Sequence, residues 1–130
     1  RWCIRDRSQL LRGSALHACV ERAFAFTEQL GVEPESGAVC AMLELPPRAG
    51  VKDATQRIWA QAEYLRALTL RPAGQAPLLR QLKALQAHFL HAGGWNECLD
   101  ASGAVSRRDM PSTTPYHLAT CYRGLAEYFA

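Results

Sequence analysis

Residues 53–94 read DATQRIWAQAEYLRALTLRPAGQAPLLRQLKALQAHFLHAGG, and the fold turns on how this stretch is divided. Ile58, Ala62, Leu65 and Leu68 recur at helical spacing and mark one apolar face. Asp53-Ala-Thr-Gln56 ahead of them has the form of a capping box, in which the first side chain accepts from a free backbone N–H and the fourth reaches back. A helix is therefore predicted to open there and to stop near Arg71-Pro72-Ala73-Gly74, where proline removes a donor and glycine releases the backbone. A second helix is predicted over Pro77–Ala92, turning Leu78, Leu82, Leu85, Phe89 and Leu90 inward before Gly93-Gly94. Two amphipathic helices joined by a few residues form an antiparallel pair.

The same periods extend in both directions. Upstream, Leu16, Cys19, Val20, Ala23, Phe24, Phe26 and Leu30 predict a helix from Ser14 to Gly31, glycine being the usual residue at a helix C-terminus. Residues 35–50 hold Ser36-Gly37, an apolar run from Val39 to Leu45, Pro46-Pro47 and Gly50, which suits a short hairpin. Downstream, residues 95–105 predict a second excursion turning at Ser102-Gly103. Ser112-Thr113-Thr114-Pro115 then opens a last helix that carries Leu118, Cys121, Tyr122, Leu125 and Phe129. The order helix, hairpin, helix, helix, hairpin, helix predicts an all-α class with β structure confined to the two excursions, as in a toroid of helix pairs. Arg1–Gly13 also reads as helical and carries Ile4, Leu10 and Leu11, so the chain is expected to start in mid-structure. Four or five amphipathic helices leave apolar faces uncovered, which predicts a single partial domain needing upstream helices for full stability.

The 130 residues are 48% apolar and 21% charged, the balance of a globular domain. No apolar run approaches the roughly 20 residues of a membrane span, the first residues do not form a signal peptide, and a cytoplasmic location is expected. A net charge of +3 argues against nucleic acid as a partner. The five cysteines never fall in a C-x-x-C spacing, so reduced, mostly buried thiols are expected in place of a zinc site or a disulfide framework.

Two clusters carry chemistry. In Arg57-Ile-Trp-Ala-Gln-Ala-Glu-Tyr-Leu65, Trp59 and Glu63 lie four residues apart and share a helix face that is not the Ile58, Ala62, Leu65 stripe. An aromatic face stacks on the C–H groups of a pyranose while a carboxylate accepts from its hydroxyls. The spacing equally suits a tryptophan packed under a loop, with Glu63 held by Arg57 or Arg66. In Ser112-Thr-Thr-Pro-Tyr-His117, Thr114 is expected to cap, Pro115 to take the first helical position and His117 to fall in the first turn. The positive end of the helix dipole then faces the imidazole and favours its neutral, proton-accepting form, although a first-turn histidine also has common structural roles. His17, His88 and His91 have no partner at metal-ligand spacing and read as ordinary histidines.

Three ordered blocks resemble the N-acylglucosamine 2-epimerase family, which includes mannose isomerases and related aldose-ketose isomerases. Arg57-Ile-Trp-Ala-Gln-Ala-Glu63-Tyr-Leu is similar to its R-L-W-P-Q-T-E-x-L, and Gly94-Trp-Asn-Glu-Cys-Leu-Asp100-Ala-Ser-Gly103 to its G-x-W-x-E-x-L-D-x-x-G. Ser112-Thr-Thr-Pro-Tyr-His-Leu118 is similar to its A-S-T-x-Y-H-L. The resemblance implies that the chain is the C-terminal third of an (α/α)6 barrel and part of a longer isomerase or epimerase. It implies that His117 is one of two catalytic histidines acting at C2 of an open-chain aldose, that Trp59 and Glu63 line the pocket, that Thr113 touches substrate, and that Arg57 orders Glu63 or the loop. It further implies a monosaccharide substrate and no metal or cofactor, and it allows a homodimer. Ala60 and Ser112 depart mildly from the family pattern.

The second histidine of the family lies in a G-H-x-x-E-W block that does not occur in these residues; Arg1–Gly13 resembles the continuation of the helix that begins with that block. The 130-residue chain alone is therefore expected to be inactive. Arg107-Arg108 reads as a solvated loop or as a clamp for a phosphorylated or carboxylated sugar. The competing class is a non-catalytic helical-toroid protein that binds carbohydrate or serves as a scaffold.

Overall fold

In the computed structural model, which describes residues 14–71 and 75–130, Ser14 accepts a hydrogen bond from the His17 N–H at 3.1 Å and opens helix α1 (Ala15–Gly31). Arg1–Gly13, expected to be helical, and Pro72-Ala73-Gly74 of the interhelical turn lie outside the described residues. About 53% of the described residues are helical, in four helices accompanied by small antiparallel sheets. Gly31 does end α1, but not through a left-handed turn, since the next residue, Val32, is extended at φ −103°. A Cβ at Gly31 would stand 3.2 Å from Leu43 Cδ1 and 3.3 Å from Cys40 Sγ, so glycine is there for close approach of the following hairpin.

That hairpin pairs β1 (Met42–Glu44) with β2 (Gly50–Asp53), Met42 opposite Asp53 and Glu44 opposite Gly50. The capping box predicted at Asp53–Gln56 does not form. Asp53 Oδ1 is engaged locally, accepting from Thr55 N at 2.9 Å and Thr55 Oγ1 at 2.8 Å, the turn with which aspartate competes against helix initiation. Gln56-Arg57 is instead a strand, β3, and helix α2 (Ile58–Thr69) begins four residues later than a cap at Asp53 would start it. Its first amide, Ile58 N–H, donates to the Glu97 carbonyl at 3.1 Å, so the start of α2 is fixed from a distant segment and not by its own cap.

Helix α3 (Gln75–Ala84) runs on into a π-helical turn (Leu85–Phe89) and stops three residues short of the predicted Ala92. Asn96 accounts for the stop: its N–H takes the Phe89 carbonyl at 2.8 Å and its Nδ2 takes the His88 carbonyl at 3.0 Å. Chain direction then reverses through β4 (Leu90–His91) and β5 (Gly94–Trp95), which leaves Leu90 exposed, contrary to its predicted place in the core. The second predicted excursion is β6 (Cys98–Leu99) and β7 (Val105–Arg107), turning where Asp100 Oδ1 accepts from Ser102 and Ala104 and Gly103 adopts φ 85°. Strand β6 is central in a three-stranded antiparallel sheet, β3–β6–β7. Strands therefore occupy places where helix was predicted, and the β content exceeds the two expected hairpins.

The last helix, α4 (Thr114–Phe129), packs along α2. Ile58, Ala62 and Leu65 are wholly buried between them and join Leu68, Leu78, Leu85, Phe89, Leu99 and Cys121 in one core. At the end of α4 the inward aromatic is Tyr128, while Tyr122 and Phe129, predicted inward, are exposed. Among the described residues Gln61, Gln81, Glu97 and Thr114 are polar side chains buried in this interior, and Gln61 is the best connected to the main chain. The Gln61 amide accepts from Val39 N at 2.8 Å and donates to Val39 O at 2.7 Å, a pairing that imitates a strand partner, and it also receives Gln81 Nε2 at 3.0 Å.

The four cysteines among the described residues are unpaired; Cys98 and Cys121 are buried, Cys19 is exposed, and Cys3 lies outside the described residues. Burial, reinforced by the Glu63 carboxylate, pushes the Cys121 thiol up to about 11. Native protein treated with iodoacetamide near pH 8 is expected to be alkylated at Cys19 first and at Cys121 only after unfolding, as peptide mass spectrometry would record. Equal native rates at both would contradict this packing. Among the described residues no helix is long and apolar enough to cross a membrane.

Candidate acid/base cleft

Because Ile58, Ala62 and Leu65 turn inward, the α2 positions between them turn toward solvent beside α4. Trp59 is 39% exposed there, and Glu63 lies one turn further on. From α4, His117 sits in the first turn and reaches back across the helix pair, its Nδ1 2.8 Å from Glu63 Oε1. The other carboxylate oxygen, Oε2, receives Arg66 Nη1 at 3.4 Å. A carboxylate only accepts, so Nδ1 carries the hydrogen in this pair, and in the neutral imidazole Nε2 is then the nitrogen with the free lone pair. Trp59 stands with its ring 5.8 Å from the imidazole centroid, and the Tyr116 ring meets the imidazole edge-on at 5.6 Å.

Beside this pair opens a cleft of about 390 Å³, lined among others by Arg57, Trp59, Glu97, Arg107, Thr113 and His117. Its far wall hangs on Glu97, whose exposure is only 6%. Glu97 Oε2 accepts from Trp95 Nε1 at 3.1 Å and from Thr114 Oγ1 at 2.9 Å. Its backbone N–H donates to Arg107 O at 2.9 Å, and its carbonyl accepts from Ile58 N. One residue thus ties together the start of α2, the β5–β6 link, β7 and the start of α4. Thr114 does not cap α4 as predicted: it is the first helical residue and gives its hydroxyl to Glu97, while Thr113 at the cap position makes no capping bond.

Of the residues singled out in the sequence, Arg57, Trp59, Thr113 and His117 line the one cleft. Glu63 stands behind His117, bonded to it and to Arg66, and Arg57 does not hold it. Arg107 reaches the cleft, but its guanidinium fork is engaged by Asp109 through Nε at 3.0 Å and through a second contact from Nη2 to Oδ2. Arg108 is exposed. Sequence reasoning did not single out Glu97, or Thr114 as its partner. The signal for Glu97 was available in Trp95-Asn-Glu97, a carboxylate two residues from an indole donor within one of the three blocks.

A larger groove of about 450 Å³ on α3, lined by Leu79, Arg80, Lys83 and Ala87 among others, brings no such pair together. Among the described residues no group of three or more His, Cys, Asp or Glu side chains is placed to hold a metal ion. No protein-family model matches the chain, and no curated protein matches it in sequence.

Proposed function

We propose that this cleft is the acid/base site of a sugar isomerase or 2-epimerase, with a chain organised as the C-terminal third of an (α/α)6 barrel of the N-acylglucosamine 2-epimerase type. The observation that carries the proposal is the Glu63–His117 pair at 2.8 Å beside the open face of Trp59. Glu63 fixes the tautomer and rotation of the imidazole, so that Nε2 presents a lone pair to a bound ligand, and it stabilises the imidazolium that forms when a proton is taken. Trp59 offers an apolar face to sugar C–H groups, and Arg57 and Thr113 offer donors to sugar oxygens.

In the proposed step, His117 Nε2 removes the C2 proton of an open-chain aldose. The C2–H electron pair moves into the C1–C2 bond and the carbonyl π pair moves onto O1, giving an enediolate. Return of a proton to C1, with the O2 proton passing to O1 as the C2 carbonyl forms, yields the ketose; return to the opposite face of C2, with the carbonyl re-formed at C1, yields the epimer. A second reading, a carbohydrate-binding protein without catalysis, draws on one observation: among the described residues, His117 is the one histidine on the cleft wall. Incubation of the complete protein with mannose and with N-acetylglucosamine in deuterium oxide separates the two. Deuterium is expected to enter at C2, seen as loss of the C2 proton resonance; binding of sugar without exchange would favour the second reading.

A further inference from the structure

We infer that Glu97 is a specificity-determining contact of this cleft, accepting a hydrogen bond from a neutral hydroxyl of the bound sugar and excluding a phosphate from that position. The inference rests on the proposed reading of the cleft as a sugar site.

Three observations lead to it. Glu97 lines the cleft although 94% of its surface is covered, and its Oε2 is pinned between Trp95 Nε1 and Thr114 Oγ1. Its Oε1 receives no hydrogen bond from any described residue. Among the described residues, the only side-chain oxygen or nitrogen that is both sealed from solvent and unpartnered is Gln81 Oε1, so Glu97 Oε1 keeps some contact with solvent, and Glu97 is a lining residue of the cleft. A carboxylate anchored through one oxygen holds the other in a fixed place without loss of side-chain freedom on binding. Such an acceptor pairs with donors alone, and a sugar hydroxyl is a donor.

The cations nearby do not reverse that preference. The Arg107 fork is already paired with Asp109, and Glu97 faces it as a second negative charge that helps to hold the guanidinium protonated. Arg57 lines the cleft, but a phosphate drawn to it would still have to avoid the Oε1 position. A site with a fixed polar partner rejects a ligand that leaves that partner unpaired more strongly than an apolar pocket rejects a change of size.

The test is equilibrium binding of mannose, its monodeoxy analogues, N-acetylglucosamine and mannose 6-phosphate to the complete protein, wild type and Glu97→Gln, followed by calorimetry. Glutamine keeps a carbonyl oxygen for Trp95 and Thr114 while turning an NH2 donor toward the cleft. The variant is expected to bind the preferred neutral sugar about 10- to 100-fold more weakly and to lose most of its preference over the phosphate. One deoxy analogue should be discriminated by wild type and not by the variant. Wild-type binding of a neutral sugar that Glu97→Gln leaves unchanged overturns the assignment of Glu97 and spares the sugar reading. Absence of any sugar binding by wild type overturns both. Should the variant not fold, the wild-type comparison alone is decisive, because tighter binding of mannose 6-phosphate than of mannose excludes the proposed role.

Discussion

In the complete protein, His117→Ala is expected to lower deuterium exchange at C2 by roughly 10²–10⁴-fold, the range that a positioned general acid or base contributes, while changing sugar affinity only a few fold. The split follows from the geometry. His117 lines the cleft as one wall residue among several, so its removal leaves Trp59, Arg57 and Thr113 in place to bind. It removes the one ring nitrogen whose lone pair is freed by the bond from Nδ1 to Glu63. Glu63→Gln is the companion variant. An amide can turn its NH2 toward Nδ1 and so favour the tautomer with hydrogen on Nε2, and exchange is expected to fall by about 10- to 100-fold, the loss typical of a residue that orients a functional histidine. Undiminished exchange in His117→Ala would remove the residue from the chemistry. Loss of both exchange and binding in a folded protein would show that its role is to shape the cleft. The readouts are proton NMR for exchange, calorimetry for binding and circular dichroism for the fold.

The second large effect is on stability. Gln61→Leu is expected to destabilise the fold by about 3–5 kcal/mol, although leucine is close to glutamine in volume and α2 tolerates it as a helix former. Gln61 is 1% exposed and Val39 is 5% exposed. The Gln61 amide supplies the partner of the Val39 N–H, the partner of the Val39 carbonyl, and an acceptor for Gln81 Nε2. Leucine strands all three in an apolar setting at about 1–3 kcal/mol each, reduced where the loop can shift to admit water. Thermal unfolding should show a midpoint lower by on the order of 10 °C or more. A loss below about 1 kcal/mol would mean that residues 38–40 are not fixed to α2 by this amide.

The contrast between those two sites shows what local sequence conveys. Helices α2 and α4 were legible because burial on one face writes a 3.6-residue period, and the same period set Trp59 and Glu63 off the buried stripe. The strand at Gln56-Arg57 was not, since two residues carry no period and its partner is Cys98-Leu99, far along the chain. Asp53 misled for a related reason. Its carboxylate serves Thr55 or an open helix equally well, and only the pull of β3 into the sheet decides. The early end of α3 is likewise imposed by Asn96 from outside the helix. On α4, an aromatic at 122, 128 or 129 satisfies a loose period, and the fit against α2 selects Tyr128. Gln61 and Glu97 are polar residues whose burial depends wholly on donors and acceptors contributed by other segments.

The cleft is assembled from the start of α2, the β5–β6 link, β7 and the start of α4, and the sheet that gathers them joins residues more than 40 positions apart, Gln56 to Leu99. None of these pieces can preserve the cavity when the others come away, so opening the binding site and melting the core are coupled events. Any small molecule that fits there then acts on the chain as a whole: at a concentration 100 times its dissociation constant it adds about 2.7 kcal/mol to the unfolding free energy. A shift in melting temperature across a library of sugars is therefore a direct readout of occupancy, with no need to know beforehand which reaction is carried out.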